Sequence, residues 1–275
     1  MDEAQARRFE ILVLNQISPN GLKRLPPERY TLGKHAAQPD AVLLRSADLH
    51  DTVLAPSVLA IARAGAGTNN IPVAAMSQRG VAVFNTPGGN ANAVKELVLA
   101  GMLMATRHLP PALRFVAGLA GTTSDMDTAV EAGKKAFAGK ELAGHTLGII
   151  GLGKIGCLVA DAAIKLGMNV LGYDPDITVD AAWSLPAQVR RAASVTDVLR
   201  GSDFVTLHVP LVAATRDLVG VSNVAQLRAG AVLLNFSRDG VVNEAAVLGA
   251  LNEKRLAWYV CDFPSANLNA HPRVI

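Results

Sequence analysis

The segment Leu147-Gly148-Ile149-Ile150-Gly151-Leu152-Gly153-Lys154-Ile155-Gly156 restricts the fold more than any other part of the chain. Apolar residues run directly into G-x-G-x-x-G, and Ile155, Val159, Ala162, Ala163 and Leu166 follow with the spacing of a helix face. The predicted order is strand, tight turn, helix. In that setting the first glycine, Gly151, permits the turn, Gly153 lets backbone approach a pyrophosphate, and Gly156 lets helix pack on strand. The start of the helix presents free N–H groups to phosphates. Residues 167–174 predict a second strand ending in Asp174, 18 residues after Gly156. A carboxylate there accepts from both hydroxyls of an adenosine ribose and repels a 2′-phosphate, which favours NAD over NADP.

Around this unit, short apolar segments alternate with helical ones. Residues 9–14, 41–44, 59–62 and 81–84 predict strands before the motif, and residues 202–210, 231–238 and 257–262 predict strands after it. Such alternation predicts a parallel α/β sheet, in which ligands bind at the carboxyl ends of strands. Between Asn92 and Arg107 apolar residues occupy nearly all sides, so a helix buried between domains or against another subunit is expected. Residues 118–140 are expected to form a long excursion with one helix near Met126 to Ala132. An acid-capped helix is expected from Glu244 to Glu253, and residues 273–275 begin a last strand. The predicted domains are 1–91 and 92–275.

Composition excludes several classes of function. Half of the 275 residues are hydrophobic, yet no run approaches the ~20 apolar residues of a membrane span, so a soluble protein with no membrane partner is expected. The N-terminus lacks the basic and apolar regions of a signal peptide, which points to the cytoplasm. Cys157 and Cys261 lie far apart in apolar surroundings and are expected to be buried thiols; no spacing suggests a metal site. A net charge of +3 carried by scattered basic residues, with few aromatics, argues against nucleic acid and is compatible with a small anionic substrate.

Six separate segments resemble one family: Arg63 to Ile71 (RAGAGTNNI), Phe84 to Pro87 (FNTP), Asn90 to Leu97 (NANAVKEL), Gly172 to Pro175 (GYDP), His208 to Leu211 (HVPL) and Asn235 to Arg238 (NFSR). They are similar, in order and over essentially the whole chain, to the D-isomer-specific 2-hydroxyacid dehydrogenases. Within these the chain is most similar to the D-3-phosphoglycerate dehydrogenases of serine biosynthesis. The resemblance implies a flavodoxin-like substrate domain, a Rossmann NAD-binding domain and a cleft between them. It implies that Arg238 is the catalytic arginine, whose planar fork matches a carboxylate and polarises a carbonyl. It implies that Lys154 and Ile155 join Gly151, Gly153 and Asp174 on pyrophosphate and ribose. His208, Val209, Pro210, Phe236, Ser237 and Asp262 would flank the cofactor on its nicotinamide side. Ala64, Gly65, Ala66 and Asn90 would offer donors to a substrate carboxylate, with Gly67 completing the loop. Arg45 would meet a substrate phosphate. The Asn92 to Arg107 helix makes a homodimer the expected assembly.

The chain also departs from the family pattern. The family's catalytic histidine lies in a Pro-His-Leu-Gly-like motif beyond the final strand, and this sequence stops at His271-Pro272-Arg273-Val274-Ile275. Neither His208 nor His271 fits that role. No acid stands where the family places its glutamate; Asn267 lies there instead. Asp239 follows Arg238 and is expected to compete for the guanidinium, and Asn243 replaces a usual Asp. The reading is therefore an NAD-dependent dehydrogenase of D-3-phosphoglycerate in a shortened, weakly active or inactive form. The alternatives are a dehydrogenase of another D-2-hydroxyacid and a non-catalytic NAD-binding sensor on the same fold.

Overall fold

The computed structural model describes residues 7–119 and 125–275, and residue contacts divide the chain into two units, Met1–Asn90 and Ala91–Ile275. The first unit contains β1 (Phe9–Val13), α1 (Pro19–Leu22), β2 (Tyr30–Gly33), β3 (Ala41–Leu44), β4 (Ala60–Arg63), α2 (Val73–Gln78) and β5 (Ala82–Phe84). All five strands are parallel, in the order β2-β1-β3-β4-β5, which is the flavodoxin-like arrangement. Its core is made by Val42 and Leu44 of β3, Ile61 of β4 and Met76 of α2, closed by Leu49, Leu54 and Val58 from the loop after β3. Strand β2 has no counterpart in the expected strands. It lies at the sheet edge with no residue fully buried, so it carries no apolar run that would announce it.

The second unit opens with α3 (Ala91–Thr106), α4 (Leu109–Leu119) and α5 (Met126–Gly133). Then follow β6 (Thr146–Ile150), α6 (Lys154–Lys165), β7 (Asn169–Tyr173), α7 (Val179–Ser184), β8 (Arg190–Arg191), α8 (Val195–Gly201) and β9 (Phe204–Leu207). It closes with β10 (Ala231–Asn235), α9 (Glu244–Asn252), β11 (Leu256–Cys261) and α10 (Ala266–Ala270). Its parallel sheet runs β11-β10-β9-β6-β7-β8, the doubly wound order of a Rossmann domain counted from β6. β6, β9 and β10 are buried along their whole length, as continuous apolar runs require when helices cover both faces. One core layer joins α3 and α6 to the sheet through Val98, Met102, Val159 and Leu234; the other joins α8 and α9 through Val198, Leu199, Val247 and Leu251.

Four expectations need correction here. Helix α3 is not buried all round. Its Val98, Met102 and Ala105 face its own unit, where Gly101 lies against Val260, Leu234 and Phe236, while Leu97 and Leu103 are exposed. The stretch after Arg107 holds α4 as well as α5; Pro110 and Pro111 sit in the first turn of α4, where a missing N–H costs nothing. Part of the expected excursion, residues 120–124, lies outside the described residues. Helix α9 is capped by Asn243, whose Oδ1 accepts from Ala246 N at 3.0 Å, with Glu244 inside the first turn. Cys157 is buried, but Cys261 is only partly so.

Candidate functional site

The turn after β6 is set by close backbone packing. Gly151 has φ +94°, outside the range of ordinary L-residues, and a side chain there would meet the His208 carbonyl oxygen at 2.5 Å. A side chain at Gly156 would run into the Gly151 carbonyl, so the third glycine packs against the turn itself. At Gly153 nothing lies within 4 Å of where a side chain would begin, so the backbone there is open to a close ligand. Gly153 is also the cap residue of the 12-residue helix α6 and supplies no side-chain bond to its first N–H groups. An open glycine ahead of unfilled helical donors fits a pyrophosphate. Asp174 follows β7, one strand over, and each of its oxygens accepts a backbone N–H: Leu152 N at 2.8 Å and Asp176 N at 2.9 Å. The carboxylate therefore ties the glycine turn to the neighbouring strand end, and each oxygen retains a lone pair for a ribose hydroxyl. Lys154 and Ile155 open α6 beside Gly153. Beneath the loop, the Cys157 thiol donates to Leu152 O at 3.3 Å, and burial, reinforced by Asp174, pushes its pKa up, so it acts as packing.

β6 and β9 neighbour each other where the strand order reverses, so His208, Val209 and Pro210 follow β9 directly beside the glycine turn. His208 pairs with Thr206 through Nε2 and Oγ1 at 3.1 Å, and burial lowers its pKa to about 4. A neutral ring at physiological pH suits a contact residue and not a proton carrier. His271 ends α10, and its Nδ1 accepts from Arg273 N at 3.2 Å.

The end of β10 is organised by Asn235, the first residue of the NFSR segment. Asn235 is 1% exposed; its Oδ1 accepts from Ser237 N at 3.1 Å and Ser237 Oγ at 2.7 Å, and its Nδ2 donates to Arg238 O at 2.8 Å. The same Nδ2 reaches the Tyr259 hydroxyl at 3.4 Å. Burial pushes the Tyr259 phenol well above its ordinary value, keeping it protonated. The signal in the sequence was an amide closing an otherwise apolar strand. Arg238 is partly buried, and its Nη1 donates to Ser237 O at 2.6 Å. Among the described residues no ion pair joins Arg238 to Asp239, so the expected competition is not realised. Phe236 packs on the α3 side of the sheet. Asp262 is exposed after β11, with its N–H pointing to Asn235 O at 3.4 Å. Asn267 Nδ2 donates to Glu244 Oε1 at 3.3 Å, and Glu244 lines a cavity of about 440 Å³ together with Asp239, Tyr259 and Phe263.

In the first unit Arg45 follows β3, and residues 64–67 follow β4, the next strand. Asn70 joins the two loops: its Nδ2 donates to Ala47 O at 2.6 Å and its Oδ1 accepts from Arg63 Nε at 2.9 Å. The Arg63 guanidinium covers Gly65 so closely that a side chain there would collide with it. The N–H groups of Ala64 and Gly65 are already used, bonding Leu44 O at 2.8 Å and Arg63 O at 2.9 Å. That corrects the expectation of a continuous row of donors and leaves Ala66 and Gly67 to present theirs. Asn90 is exposed in the turn before α3.

Residues 99–274 match the family described as D-isomer specific 2-hydroxyacid dehydrogenase, NAD binding domain. The chain belongs to this family. The second unit is thus the NAD-binding domain of a D-2-hydroxyacid dehydrogenase family member, with Gly151 to Gly156 at its switch point. A D-3-phosphoglycerate dehydrogenase of Methanocaldococcus jannaschii is 37% identical over 196 residues, which is 71% of this chain and 35% of that protein. A hydroxypyruvate reductase of Thermotoga maritima is 36% identical over 223 residues, 80% of this chain and 67% of that protein. The chain therefore spans about a third of the length of the first and two thirds of the second. Among solved structures, D-mandelate dehydrogenase of Rhodotorula graminis superposes with TM-score 0.78 at 21% identity, over 98% of this chain and 87% of that one, which shows the shared fold. No helix of the described residues is long and apolar enough to cross a membrane.

Proposed function

We propose that the chain serves the NAD-dependent oxidation of D-3-phosphoglycerate to 3-phosphohydroxypyruvate, the opening step of serine biosynthesis. Bound NAD would accept the hydride from C2, and the hydroxyl proton would pass to water. The observation that carries the reading is Arg238, fixed by Asn235 and Ser237 at the end of the strand two places from the glycine turn and free of a carboxylate partner among the described residues. Its role is to hold the substrate carboxylate and to polarise the oxygen at C2, where negative charge develops. Lys154, Ile155 and Asp174 act on pyrophosphate and ribose; Val209, Phe236, Ser237 and Asp262 act near the nicotinamide. Ala66, Gly67 and Asn90 meet the substrate carboxylate, and Arg45 its phosphate. The phosphoglycerate assignment draws on the names of relatives such as the archaeal enzyme. Reduction or oxidation of a non-phosphorylated 2-hydroxyacid is the second reading, favoured by the hydroxypyruvate reductase at similar identity. The partner in this reading is a second copy of the chain, seated on the exposed Leu97, Leu103, Leu109, Leu113 and Val116 of α3 and α4.

Calorimetric titration of the NAD-loaded chain with D-3-phosphoglycerate, D-lactate and D-mandelate tests the assignment. Phosphoglycerate is expected to bind about tenfold or more tighter, and Arg238→Gln to weaken all three ligands by about tenfold or more. Equal binding of the three ligands by the unmodified chain sinks the phosphoglycerate reading.

A further inference from the structure

The side-chain amide of Asn235, the last residue of β10, is spent almost entirely on the turn that follows it. Ser237 N can only donate and Arg238 O can only accept, so their bonds to Asn235, at 3.1 and 2.8 Å, fix which end of the amide is Oδ1 and which is Nδ2. Oδ1 also takes the Ser237 hydroxyl at 2.7 Å, which leaves one N–H of Nδ2 to be placed in a side chain only 1% exposed. The acceptor it meets is the Tyr259 hydroxyl at 3.4 Å. Strand pairing delivers that hydroxyl. Leu233 of β10 stands opposite Tyr259 of β11 and Asn235 opposite Cys261, so these four residues share one face of the sheet. The Tyr259 ring belongs to the core that includes Val241, Val247 and Leu268, and its hydroxyl also interacts with the Cys261 thiol. Burial keeps the phenol protonated, so it meets Asn235 as a neutral group.

Both anchors of Arg238 pass through this amide. The Arg238 carbonyl is held by Asn235 Nδ2, and its guanidinium by the carbonyl of Ser237, whose N–H and hydroxyl are both held by Asn235 Oδ1. We infer that Tyr259 is a positioning residue for Arg238, locking the Asn235 amide in the orientation that aims the guanidinium at the substrate carboxylate. The inference rests on the reading of Arg238 as the residue that holds that carboxylate. Without the hydroxyl a buried N–H is left unpaired, which is costly, and any turn of the amide toward another partner releases Ser237 and Arg238.

Tyr259→Phe removes the hydroxyl and keeps the ring in the core, and a thermal melt checks that the variant is folded. The full 275-residue chain with NAD present is titrated calorimetrically with D-3-phosphoglycerate and with D-lactate, which shares the carboxylate and lacks the phosphate. Loss of one hydrogen bond corresponds to about a three- to tenfold change in affinity, and Tyr259→Phe is expected to weaken both ligands by that factor. In an Arg238→Gln background the same substitution is expected to change affinity less than about twofold, because its effect passes through the guanidinium. An equal loss in both backgrounds would mean that the hydroxyl only stiffens the unit, and overturns the inference. Unchanged affinity in Tyr259→Phe, beside a clear loss in Arg238→Gln, overturns it too and leaves the role of Arg238 intact. If Arg238→Gln binds both ligands as the unmodified chain does, the reading of Arg238 itself falls and the inference with it.

Discussion

A methyl group added at Gly151 and one added at Gly153 have different consequences, although the two positions are two residues apart. At Gly151 the backbone lies at φ +94° and the His208 carbonyl is 2.5 Å from the added carbon, so Gly151→Ala is strained whether or not a ligand is present. A loss of about 1–3 kcal/mol of folding stability is expected from the backbone conformation, with more from the collision. At Gly153 the backbone is extended, φ −72° and ψ −164°, a region alanine adopts freely, and the added carbon meets nothing. Gly153→Ala is therefore expected to fold within about 0.5 kcal/mol of the unmodified chain. On the proposed reading its methyl group occupies the open space that the pyrophosphate would enter, and NAD affinity should drop roughly tenfold or more. Paired urea melts and NAD titrations read the difference. Unchanged NAD affinity in Gly153→Ala would place the pyrophosphate elsewhere.

At the level of elements, the opposite end of the Rossmann sheet is closed by one carboxylate. Asp203, just before β9, accepts from Thr146 N of β6 at 2.8 Å and from Arg228 Nη1 at 3.0 Å, and lies 3.3 Å from His145 Nδ1. Partial burial pushes its pKa up, but the Thr146 N–H, Arg228 and His145 outweigh that and hold it below the ordinary value. A carboxyl whose pKa is lower folded than unfolded stabilises the fold at neutral pH, and loses that contribution as the pH falls below about 4. Asp203→Asn is expected to lower stability at pH 7 and to flatten its acid dependence between about pH 4 and 2, as followed by denaturant midpoints. An unchanged acid limb would show that other carboxylates govern it. Which elements could be read beforehand follows from the same physics. β6, β9 and β10 are continuous apolar runs and were plain, as was the helix after the glycine turn. β2, α7 and α10 are short and have little or no buried apolar face, and α4 starts with two prolines, so no apolar period marked them. For the candidate site, the placement of Gly151, Asp174 and Arg238 just after strand ends was legible, because there residue type and strand end coincide. The bracing by Asn235 and Asn70 was not, because it depends on which strand ends and loops become neighbours, and that is set by topology.

For the whole molecule, the cores divide along the same line as the contacts. Val42, Leu44, Ile61 and Met76 belong to one cluster within the first unit, whereas the two larger clusters lie entirely within the second. Each unit also has its own parallel sheet, with no strand shared. Two cooperative transitions are therefore expected in calorimetry, one per unit. The glycine turn, helix α6 and Asp174 all lie in the second unit, so NAD binds the folded form of that unit and adds RT ln(1 + [L]/Kd) to its stability alone. At a concentration of ~100 Kd the gain is about 2.7 kcal/mol, which for a domain of this size raises its midpoint by roughly 5–10 °C. Hydrogen exchange read by mass spectrometry assigns the shifted transition, since slowing should concentrate in the amides of residues 146–261 and leave those of residues 9–84 as they were. Equal slowing in both stretches would mean that the units unfold as one, and would make NAD binding a property of the whole chain.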